Sequence, residues 1–350
     1  MRFIIFGVGA IGTYIGASLL EAAQEVTFIE RPEIARQASL KRVSLHLPGG
    51  KTISREADVV TSLSAAIEKT PADAAIVAVK AFDTDRLAKT LKPHERKIPA
   101  LVCMQNGVDN EKIYADVLSR ERVIPATLTS AVGRRGAGDV VLEKLRGIGL
   151  ARGHVLVPEI SRIFNLAGLN SHIYPNASSM KWSKLLTNVQ SNALPAILQL
   201  SPAQVFSNPL LFNLEIRQLR EALAVMQALK LSVVDLPGTP VRLLAFLAKT
   251  VPEWLGRPLA QRFLAGGRGG KMPSLYIDLV EGRKQTEADY LYGAVVRYGE
   301  GYGIPTPVNR MVNQTLQKIT SGEIKQDRFK QSPEKLLDEL DHYIVSQQSN

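Results

Sequence analysis

Short apolar runs alternate with a helical stretch over the first third of the chain. Residues 2–6, 26–29, 74–79 and 100–104 have the length and composition of buried strands, and residues 13–23 have the periodicity of a helix. Strands that alternate with helices are typical of parallel βαβ units. The pattern therefore predicts an α/β domain built on a parallel sheet.

Other segments extend this domain. Residues 44–47 and 51–54 flank the turn Pro48-Gly49-Gly50 and are predicted to form a hairpin. Residues 123–131 and 140–142 are expected to complete the sheet.

The pattern changes after about residue 176, where helical periodicity replaces strand-like alternation. Leu219, Leu223 and Met226 follow one another at intervals of four and three residues, which places them on one helix face. A glycine cluster at residues 266–270 predicts a loop. We therefore predict two domains, an α/β domain over residues 1–176 and an all-helical domain over residues 177–350.

Composition narrows the class of protein. The chain has 350 residues, 45% of them hydrophobic and 22% charged, which is ordinary globular usage. Its single cysteine, Cys103, cannot form an internal disulfide, which fits a reducing compartment and favours a cytoplasmic location. No signal peptide, membrane span or metal site is predicted, and the apolar stretches are shorter than the ~20 residues that cross a bilayer.

The charge pattern bears on possible partners. The net charge is +10, but the basic residues are scattered, apart from Arg134-Arg135 and a group at Arg262, Arg268 and Lys271. Nucleic-acid binding requires clustered basic residues. We therefore expect a surface that favours anionic small molecules and no nucleic acid. The oligomeric state stays open, a homodimer included.

A glycine motif follows the first predicted strand and opens the first predicted helix. It comprises Gly7, Val8, Gly9, Ala10, Ile11 and Gly12. In this context the first glycine permits a tight turn, the second lets the backbone approach a pyrophosphate, and the third lets helix and strand pack closely. A purely structural turn is the alternative. The motif predicts a Rossmann-type domain that binds a dinucleotide.

Two charged residues end the second predicted strand, where such folds contact the adenosine ribose. Glu30 can accept hydrogen bonds from both ribose hydroxyls, which favours NAD. Arg31 can pair with a 2′-phosphate, which favours NADP. A solvated charge pair at a strand end is the alternative.

Polar residues also follow two later strands. Lys80 and Asn106 stand at the carboxyl ends of the runs 74–79 and 100–104. Ligands of open α/β sheets bind at such ends, so both residues are candidates to contact nicotinamide or substrate. Asn106-Gly107 can equally be a simple turn.

The helical half carries a polar stripe. Lys184, Asn188 and Asn192 recur every four residues on one side of a predicted helix, and Leu185 and Val189 occupy a neighbouring apolar face. Such polar residues are ordinarily just solvated. Reduction of a ketone, however, needs a donor at the carbonyl oxygen, and an ammonium supplies both charge and a proton. Lys184 is therefore a candidate donor to such a carbonyl oxygen, and a solvated stripe is the alternative.

In the order of its motifs the chain resembles the ketopantoate reductase (2-dehydropantoate 2-reductase) family from Met1 to about Ile319. The matching segments are the glycine motif, Val79-Lys80, residues 105–107, residues 181–188 with Asn192, residues 273–275, residues 286–289 and residues 303–309.

The resemblance implies NADPH-dependent reduction of 2-dehydropantoate (ketopantoate) to pantoate, as in pantothenate synthesis. It implies that Lys184 is the proton donor and that Glu287 holds the substrate's terminal hydroxyl and helps to orient the lysine. The remaining implied contacts are Asn106, Asn188, Asn192 and Ser274 for substrate, Lys80 and Asn106 beside nicotinamide, and Arg31 for the 2′-phosphate.

Four features depart from the family pattern. Glu30 and Asp83 are acidic near an anionic cofactor, and Glu30 leaves NAD open. Tyr292 stands where an asparagine is expected. An additional residue precedes Glu287, around Lys284-Gln285, and would rotate Glu287 by a helical step unless a local bulge absorbs it. Two alternatives therefore stay open, a reductase of a different small 2-keto acid and a catalytically inactive NAD(P)-binding regulatory protein.

Overall fold

A computed structural model describes residues 1–36, 38–69, 71–250 and 271–348 of the chain. Its internal contacts divide the chain into two compact units, Met1–Lys181 with Asp235–Thr239, and Trp182–Val234 with Pro240–Asn350. The domain boundary predicted at residues 176/177 falls shortly before this division. The predicted glycine-rich loop at 266–270, with Arg262 and Arg268, lies outside the described residues.

All strands of the described residues belong to the first unit. They are β1 (Arg2–Phe6), β2 (Glu25–Ile29), β3 (Arg42–His46), β4 (Thr52–Glu56), β5 (Asp58–Val60), β6 (Ala74–Val77), β7 (Leu101–Cys103), β8 (Val123–Leu128), β9 (Ala131–Gly136), β10 (Asp139–Lys144), β11 (Ile148–Ala151) and β12 (Ser171–Tyr174). Within the described residues they form an eight-stranded sheet, in the order β12-β11-β8-β7-β6-β1-β2-β5, and a four-stranded sheet, in the order β4-β3-β10-β9.

The larger sheet confirms the predicted α/β architecture. The four strands predicted in the first third of the chain are β1, β2, β6 and β7, and they are parallel neighbours. Strand β1 lies between β2 and β6, so the chain reverses its direction across the sheet at β1. In α/β sheets ligands bind at the carboxyl ends of the strands that flank such a reversal.

Residues 3–6 of strand β1 are apolar and buried, and both faces of the strand are covered there. Phe3 and Ile5 pack in one core cluster, and Ile4 and Phe6 pack in another. Successive side chains of a strand point to opposite faces of the sheet. A strand buried on both faces reads as a continuous apolar run, and the sequence shows such a run here.

The smaller sheet corrects one prediction. The hairpin expected around Pro48-Gly49-Gly50 is present as the antiparallel pair β3 and β4, but the prediction that residues 140–142 complete the main sheet is wrong. They belong to β10, which pairs with β3 and β9. Val140 and Leu142 are buried while Val141 between them is half-buried, an alternation typical of a sheet with one covered face.

The helices of the first unit are α1 (Ala10–Glu21), α2 (Pro32–Ala35), α3 (Leu63–Lys69), α4 (Thr84–Leu91), α5 (Asn110–Leu118) and α6 (Val157–Leu166), with short 3₁₀ segments at Ala38–Lys41, Ala81–Asp83, Lys92–Lys97 and Arg120–Arg122. Helix α1 packs against strands of both sheets. Every residue from 12 to 19 is buried, so α1 has no solvated face along that length.

Helix α7 (Ala177–Val189) contains the division between the units, and the described part of the second unit is helical. Its further elements are α8 (Ala193–Leu198), α9 (Pro202–Ser207), α10 (Pro209–Ala228), α11 (Val241–Thr250), α12 (Ser274–Val280), a π-helical turn (Asp289–Gly293), α13 (Ala294–Gly301), α14 (Pro307–Ser321) and α15 (Pro333–Gln348). Helix α10 packs against α9, α11, α13 and α14. Leu219, Leu223 and Met226 are buried on it, which confirms the predicted apolar face.

Candidate functional site

The glycine motif forms the turn between β1 and α1. Gly7 has a φ of +100°, a conformation that favours glycine, and its N–H donates to the Ile29 carbonyl oxygen at 2.9 Å. A Cβ atom at Gly12 would overlap the carbonyl oxygen of Gly7, whereas a Cβ atom at Gly9 would meet no atom within 4 Å. The first glycine makes the turn, the third permits close packing, and the second borders open space.

Helix α1 presents its first amides at this turn. Its N-cap is Gly9, which has no side chain to accept from those amides, and its first turn contains no acidic residue. Val8 is buried, and Ala10 and Ile11 are half-buried. Amides at a helix N-terminus bind anions, because they lack intrahelical partners and lie at the positive end of the helix dipole. The turn therefore fits the pyrophosphate of a dinucleotide.

Glu30 follows β2 and contacts this turn directly. Its Oε2 accepts from the N–H of Val8 at 2.8 Å, and its Oε1 accepts from the N–H of Arg31 at 2.9 Å. The Glu30 side chain is 13% exposed and the Arg31 side chain is 56% exposed. The Nε of Arg31 lies 3.7 Å from Glu30 Oε1 and 3.7 Å from Glu33 Oε1. A fixed carboxylate and an exposed guanidinium thus stand where the ribose is expected.

The ends of β6 and β7 are joined by Gln105, for which the sequence pattern predicts no role. Its Nε2 donates to the carbonyl oxygen of Lys80 at 3.0 Å and to Thr84 Oγ1 at 3.0 Å. The amide of Asn110 donates to the carbonyl oxygen of Asn106 at 2.7 Å. The backbone at both predicted nicotinamide contacts, Lys80 and Asn106, is therefore held by buried amides.

Two buried side chains complete the surroundings of Gln105. Tyr114 OH donates to Gln105 Oε1 at 3.0 Å, and Cys103 Sγ lies 3.5 Å from the same oxygen. Burial raises the pKa of the Tyr114 phenol and of the Cys103 thiol well above their ordinary values. Both groups therefore stay protonated at neutral pH and act as donors.

Lys181 anchors the beginning of α7 within the first unit. Its Nζ donates to the carbonyl oxygen of Gln105 at 2.7 Å and to that of Ala126 at 3.3 Å. It also forms an ion pair with Glu111 at 2.7 Å, with Lys181 5% exposed and Glu111 14% exposed. Buried charges persist only when they are paired and hydrogen-bonded, as this ammonium is.

The predicted polar stripe begins one turn later on α7. Lys184 is half-buried and Asn188 is buried, but the prediction that Asn192 continues the same helix is wrong. Helix α7 ends at Val189, and Ser191 has a left-handed φ of +53°. The cause is Pro195, whose ring in a continuous helix would clash with the carbonyl of Ser191, four residues earlier.

The break between α7 and α8 is stabilised by buried side chains. Tyr292 OH donates to the carbonyl oxygen of Val189 at 3.0 Å and accepts from the N–H of Ala193 at 3.0 Å. The N–H of Ser191 donates to Glu215 Oε2 at 2.8 Å. Tyr292, one of the four departures from the family pattern, therefore serves the backbone at this break.

The break still brings three predicted substrate contacts together. The Nδ2 of Asn192 donates to the carbonyl oxygen of Asn188 at 3.1 Å. The N–H of Leu275 donates to Asn192 Oδ1 at 3.5 Å, which places the asparagine at the start of α12, beside the exposed Ser274. Asn188, Asn192 and Ser274 thus share one neighbourhood of the second unit.

Glu287 is 5% exposed and precedes the π-helical turn that carries Tyr292. Lys284 and Gln285, around which the additional residue was expected, lie in the loop after α12. The expected step in the position of Glu287 stays a prediction, and the π-helical turn that begins two residues later is a local bulge of the kind expected to absorb an additional residue. Asp83, the other acidic departure, pairs with Arg86 at 2.7 Å.

The described part of the chain contains no group of three or more His, Cys, Asp or Glu side chains suited to a metal ion. Among its described helices, none combines the length and the apolar character needed to cross a bilayer.

Comparison with known families accounts for most of the chain. The family model described as ketopantoate reductase PanE/ApbA matches residues 3–152. The model described as ketopantoate reductase PanE/ApbA C terminal matches residues 176–320.

Individual relatives extend over nearly the whole length. The 2-dehydropantoate 2-reductase of Archaeoglobus fulgidus is 26% identical over 326 residues, which cover 92% of this chain and 98% of that protein. The crystal structure of a PanE/ApbA family ketopantoate reductase from Ralstonia eutropha superposes with a TM-score of 0.76 at 25% identity, covering 92% and 99% of the two chains. D-mandelate dehydrogenase, solved with NADH and anilino(oxo)acetate, shares the fold at 20% identity, with a TM-score of 0.75 over 92% and 99% of the chains.

Proposed function

The chain belongs to the ketopantoate reductase PanE/ApbA family of NAD(P)-dependent oxidoreductases, and from this premise we propose that it reduces ketopantoate to pantoate. The observation that carries the proposal is the shared neighbourhood of Asn188, Asn192 and Ser274 at the helix break, one turn beyond Lys184. Together these residues offer one ammonium, two amides and a hydroxyl for a small keto acid.

The dinucleotide binds through the first unit. The amides at the start of α1 hold its pyrophosphate, and Gly9 leaves space for its approach. Lys80 and Asn106 contact the nicotinamide, which supplies the hydride when bound. The contacts of Gln105 support the nicotinamide role of Lys80 and Asn106. Its side chain fixes the backbone of Lys80, and Asn106 is the next residue of the chain.

Lys184 supplies the proton. As hydride reaches the keto carbon, negative charge develops on the carbonyl oxygen, and a nearby ammonium stabilises that charge and then neutralises it by proton transfer. The half-buried position of Lys184 supports this role, since partial exclusion of water strengthens the interaction between the ammonium and the developing charge.

The remaining polar residues orient the substrate. Asn188 and Asn192 hold the keto acid through their amides, and Ser274 adds a hydroxyl. Glu287 binds the terminal hydroxyl of ketopantoate and helps to orient Lys184. The burial of the Glu287 carboxylate supports this role, because a buried carboxylate requires polar partners.

The proposal is tested by following oxidation of NADPH and NADH by the purified chain with ketopantoate and with a panel of other 2-keto acids. Turnover highest with ketopantoate is the expected result. Turnover highest with an aromatic 2-keto acid would replace the substrate and keep the reaction class, an outcome suggested by the fold shared with D-mandelate dehydrogenase. Tight binding of dinucleotide without oxidation by any keto acid would establish the regulatory alternative.

A homodimer stays a prediction for this chain. Light scattering on the purified protein, with and without dinucleotide, gives the particle mass directly. A mass of twice 38.3 kDa is expected for a dimer.

A further inference from the structure

The geometry points to NADH, rather than NADPH, as the dinucleotide that this chain prefers, with Glu30 as the residue that makes the choice. This inference rests on the proposed reductase function, and it departs from the NADPH dependence that the family resemblance implies.

The backbone of Glu30 is fixed from two sides. Glu30 directly follows Ile29, whose carbonyl oxygen accepts from the N–H of Gly7 at 2.9 Å, and its own N–H donates to the carbonyl oxygen of Val60 at 3.0 Å. The residue is therefore held between the glycine turn and the end of β5. Because its backbone is fixed, the side chain of Glu30 stays close to the glycine turn.

The carboxylate of Glu30 is fixed as well. One oxygen accepts from the N–H of Val8 and the other from the N–H of Arg31, at 2.8 and 2.9 Å. Each carboxylate oxygen can accept more than one hydrogen bond. The group can therefore keep both backbone contacts and still accept from the 2′- and 3′-hydroxyls of an adenosine ribose, as acidic residues at this place do in NAD-binding folds.

A 2′-phosphate, unlike the ribose hydroxyls, is repelled by the Glu30 carboxylate. A phosphate monoester carries about −1.5 to −2 charges at pH 7 and would approach a carboxylate that the backbone holds in place. Arg31 offsets this only in part, because its Nε lies 3.7 Å from both Glu30 and Glu33. The two carboxylates and the single guanidinium together carry a net negative charge, which disfavours the binding of a 2′-phosphate beside them.

The test is a fluorescence titration of the purified chain with NADH and with NADPH in the absence of keto acid. We expect NADH to bind at least about tenfold more tightly, the size of one charge-assisted hydrogen bond. Glu30→Gln should remove most of this preference, because the amide keeps an acceptor for Val8 but loses the charge. Tighter binding of NADPH by the wild type, or an unchanged preference in Glu30→Gln, overturns the inference.

Two further variants complete the design. Glu33→Gln removes a carboxylate near Arg31 that has no contact with Val8, and it should change the preference less than Glu30→Gln does. Arg31→Ala should leave NADH affinity within about threefold, whereas loss of all dinucleotide binding in this variant contradicts the inference. Thermal melts of each variant confirm that it is folded.

The titration, together with the turnover assay on 2-keto acids, separates the two proposals. A chain that prefers NADH but oxidises it with no 2-keto acid contradicts the proposed function and supports the cofactor preference. A chain that reduces ketopantoate but binds NADPH more tightly than NADH supports the proposed function and contradicts the cofactor preference.

Discussion

The Nζ atom of Lys181 lies 2.7 Å from the backbone carbonyl oxygen of Gln105, its neighbour across 76 positions of sequence. This contact links the second turn of helix α7 to the residue that precedes Asn106. The lysine is buried, and Glu111 balances its charge. Lys181, for which no ligand contact is proposed, thereby fixes the backbone beside a proposed nicotinamide contact.

Replacing Lys181 by methionine should destabilise the protein by about 3–5 kcal/mol, because the change leaves the carboxylate of Glu111 buried without its partner. The double variant Lys181→Met with Glu111→Gln should recover part of the loss, since it removes the uncompensated charge. Equilibrium unfolding in denaturant measures both effects.

A more exposed pair at the start of helix α5 provides the matched control. Lys112 and Asp109 are 2.9 Å apart, and the lysine side chain is 66% exposed. Lys112→Met should cost about 0–1 kcal/mol, as solvent-exposed ion pairs do. Equal losses in the buried and exposed variants would contradict the role given to Lys181.

Gly9 and Gly12 of the glycine turn between β1 and α1 should respond differently to alanine. Gly12→Ala places a Cβ atom against the carbonyl oxygen of Gly7 and should destabilise the fold by about 1–3 kcal/mol or more. Gly9→Ala meets no protein atom, so thermal stability should barely change, while the methyl group obstructs the pyrophosphate. Dinucleotide affinity should fall by at least about tenfold in Gly9→Ala. Full affinity in this variant would show that the pyrophosphate does not approach Gly9.

Tyr292→Phe tests the helix break. Loss of the hydroxyl removes the acceptor for the N–H of Ala193, a cost of about 1–3 kcal/mol for a buried donor. Tyr302→Phe, at a side chain that is 55% exposed, should change stability by no more than about 0.5 kcal/mol. Unfolding free energies of the two variants compare these costs. A near-neutral Tyr292→Phe would mean that another group satisfies this amide.

Glu221 should make stability depend on pH. Burial raises the pKa of its carboxyl above the ordinary 4.5, despite donation from the N–H groups of Val308 and Asn309. A carboxyl whose pKa is higher in the folded than in the unfolded protein stabilises the fold when the pH is below its pKa in the unfolded protein. That contribution is lost as pH rises through the folded pKa.

The free energy of unfolding of the wild type and of Glu221→Gln, measured at pH values from below to above 4.5, tests this pH dependence. The stability advantage of the wild type should be largest below pH 4.5 and should shrink as pH rises. An advantage that grows with pH would indicate that hydrogen bonds to the ionised carboxylate outweigh its burial.

The sequence predicts the glycine turn between β1 and α1 well because its signals are local. An apolar run, three glycines at fixed spacing and a helical pattern follow one another within about twenty residues, and each constrains the next. The same reasoning placed Glu30 and Arg31 at the strand end. It could not show that Glu30 contacts Val8, because that contact depends on how two strands pair.

The two wrong predictions have different causes. One depends on a strand partner far away in the sequence, and the other on a break in a helix. Residues 140–142 look like any strand, and their partners in β3 lie about a hundred positions earlier. The four-residue spacing to Asn192 looks helical, and Pro195 was the signal that the helix ends first. Lys181 reads as a solvated helix residue because its burial is set by Gln105 and Glu111.

The central claim is that Lys184 protonates the keto oxygen while the first unit holds the dinucleotide. Turnover and dinucleotide affinity of Lys184→Ala, with exposed Lys325→Ala as control, test it most directly. We expect kcat to fall by about 10²- to 10⁴-fold, with dinucleotide affinity nearly intact and Lys325→Ala unchanged. Turnover of Lys184→Ala within about threefold of the wild type would contradict the assignment of Lys184 as the proton donor.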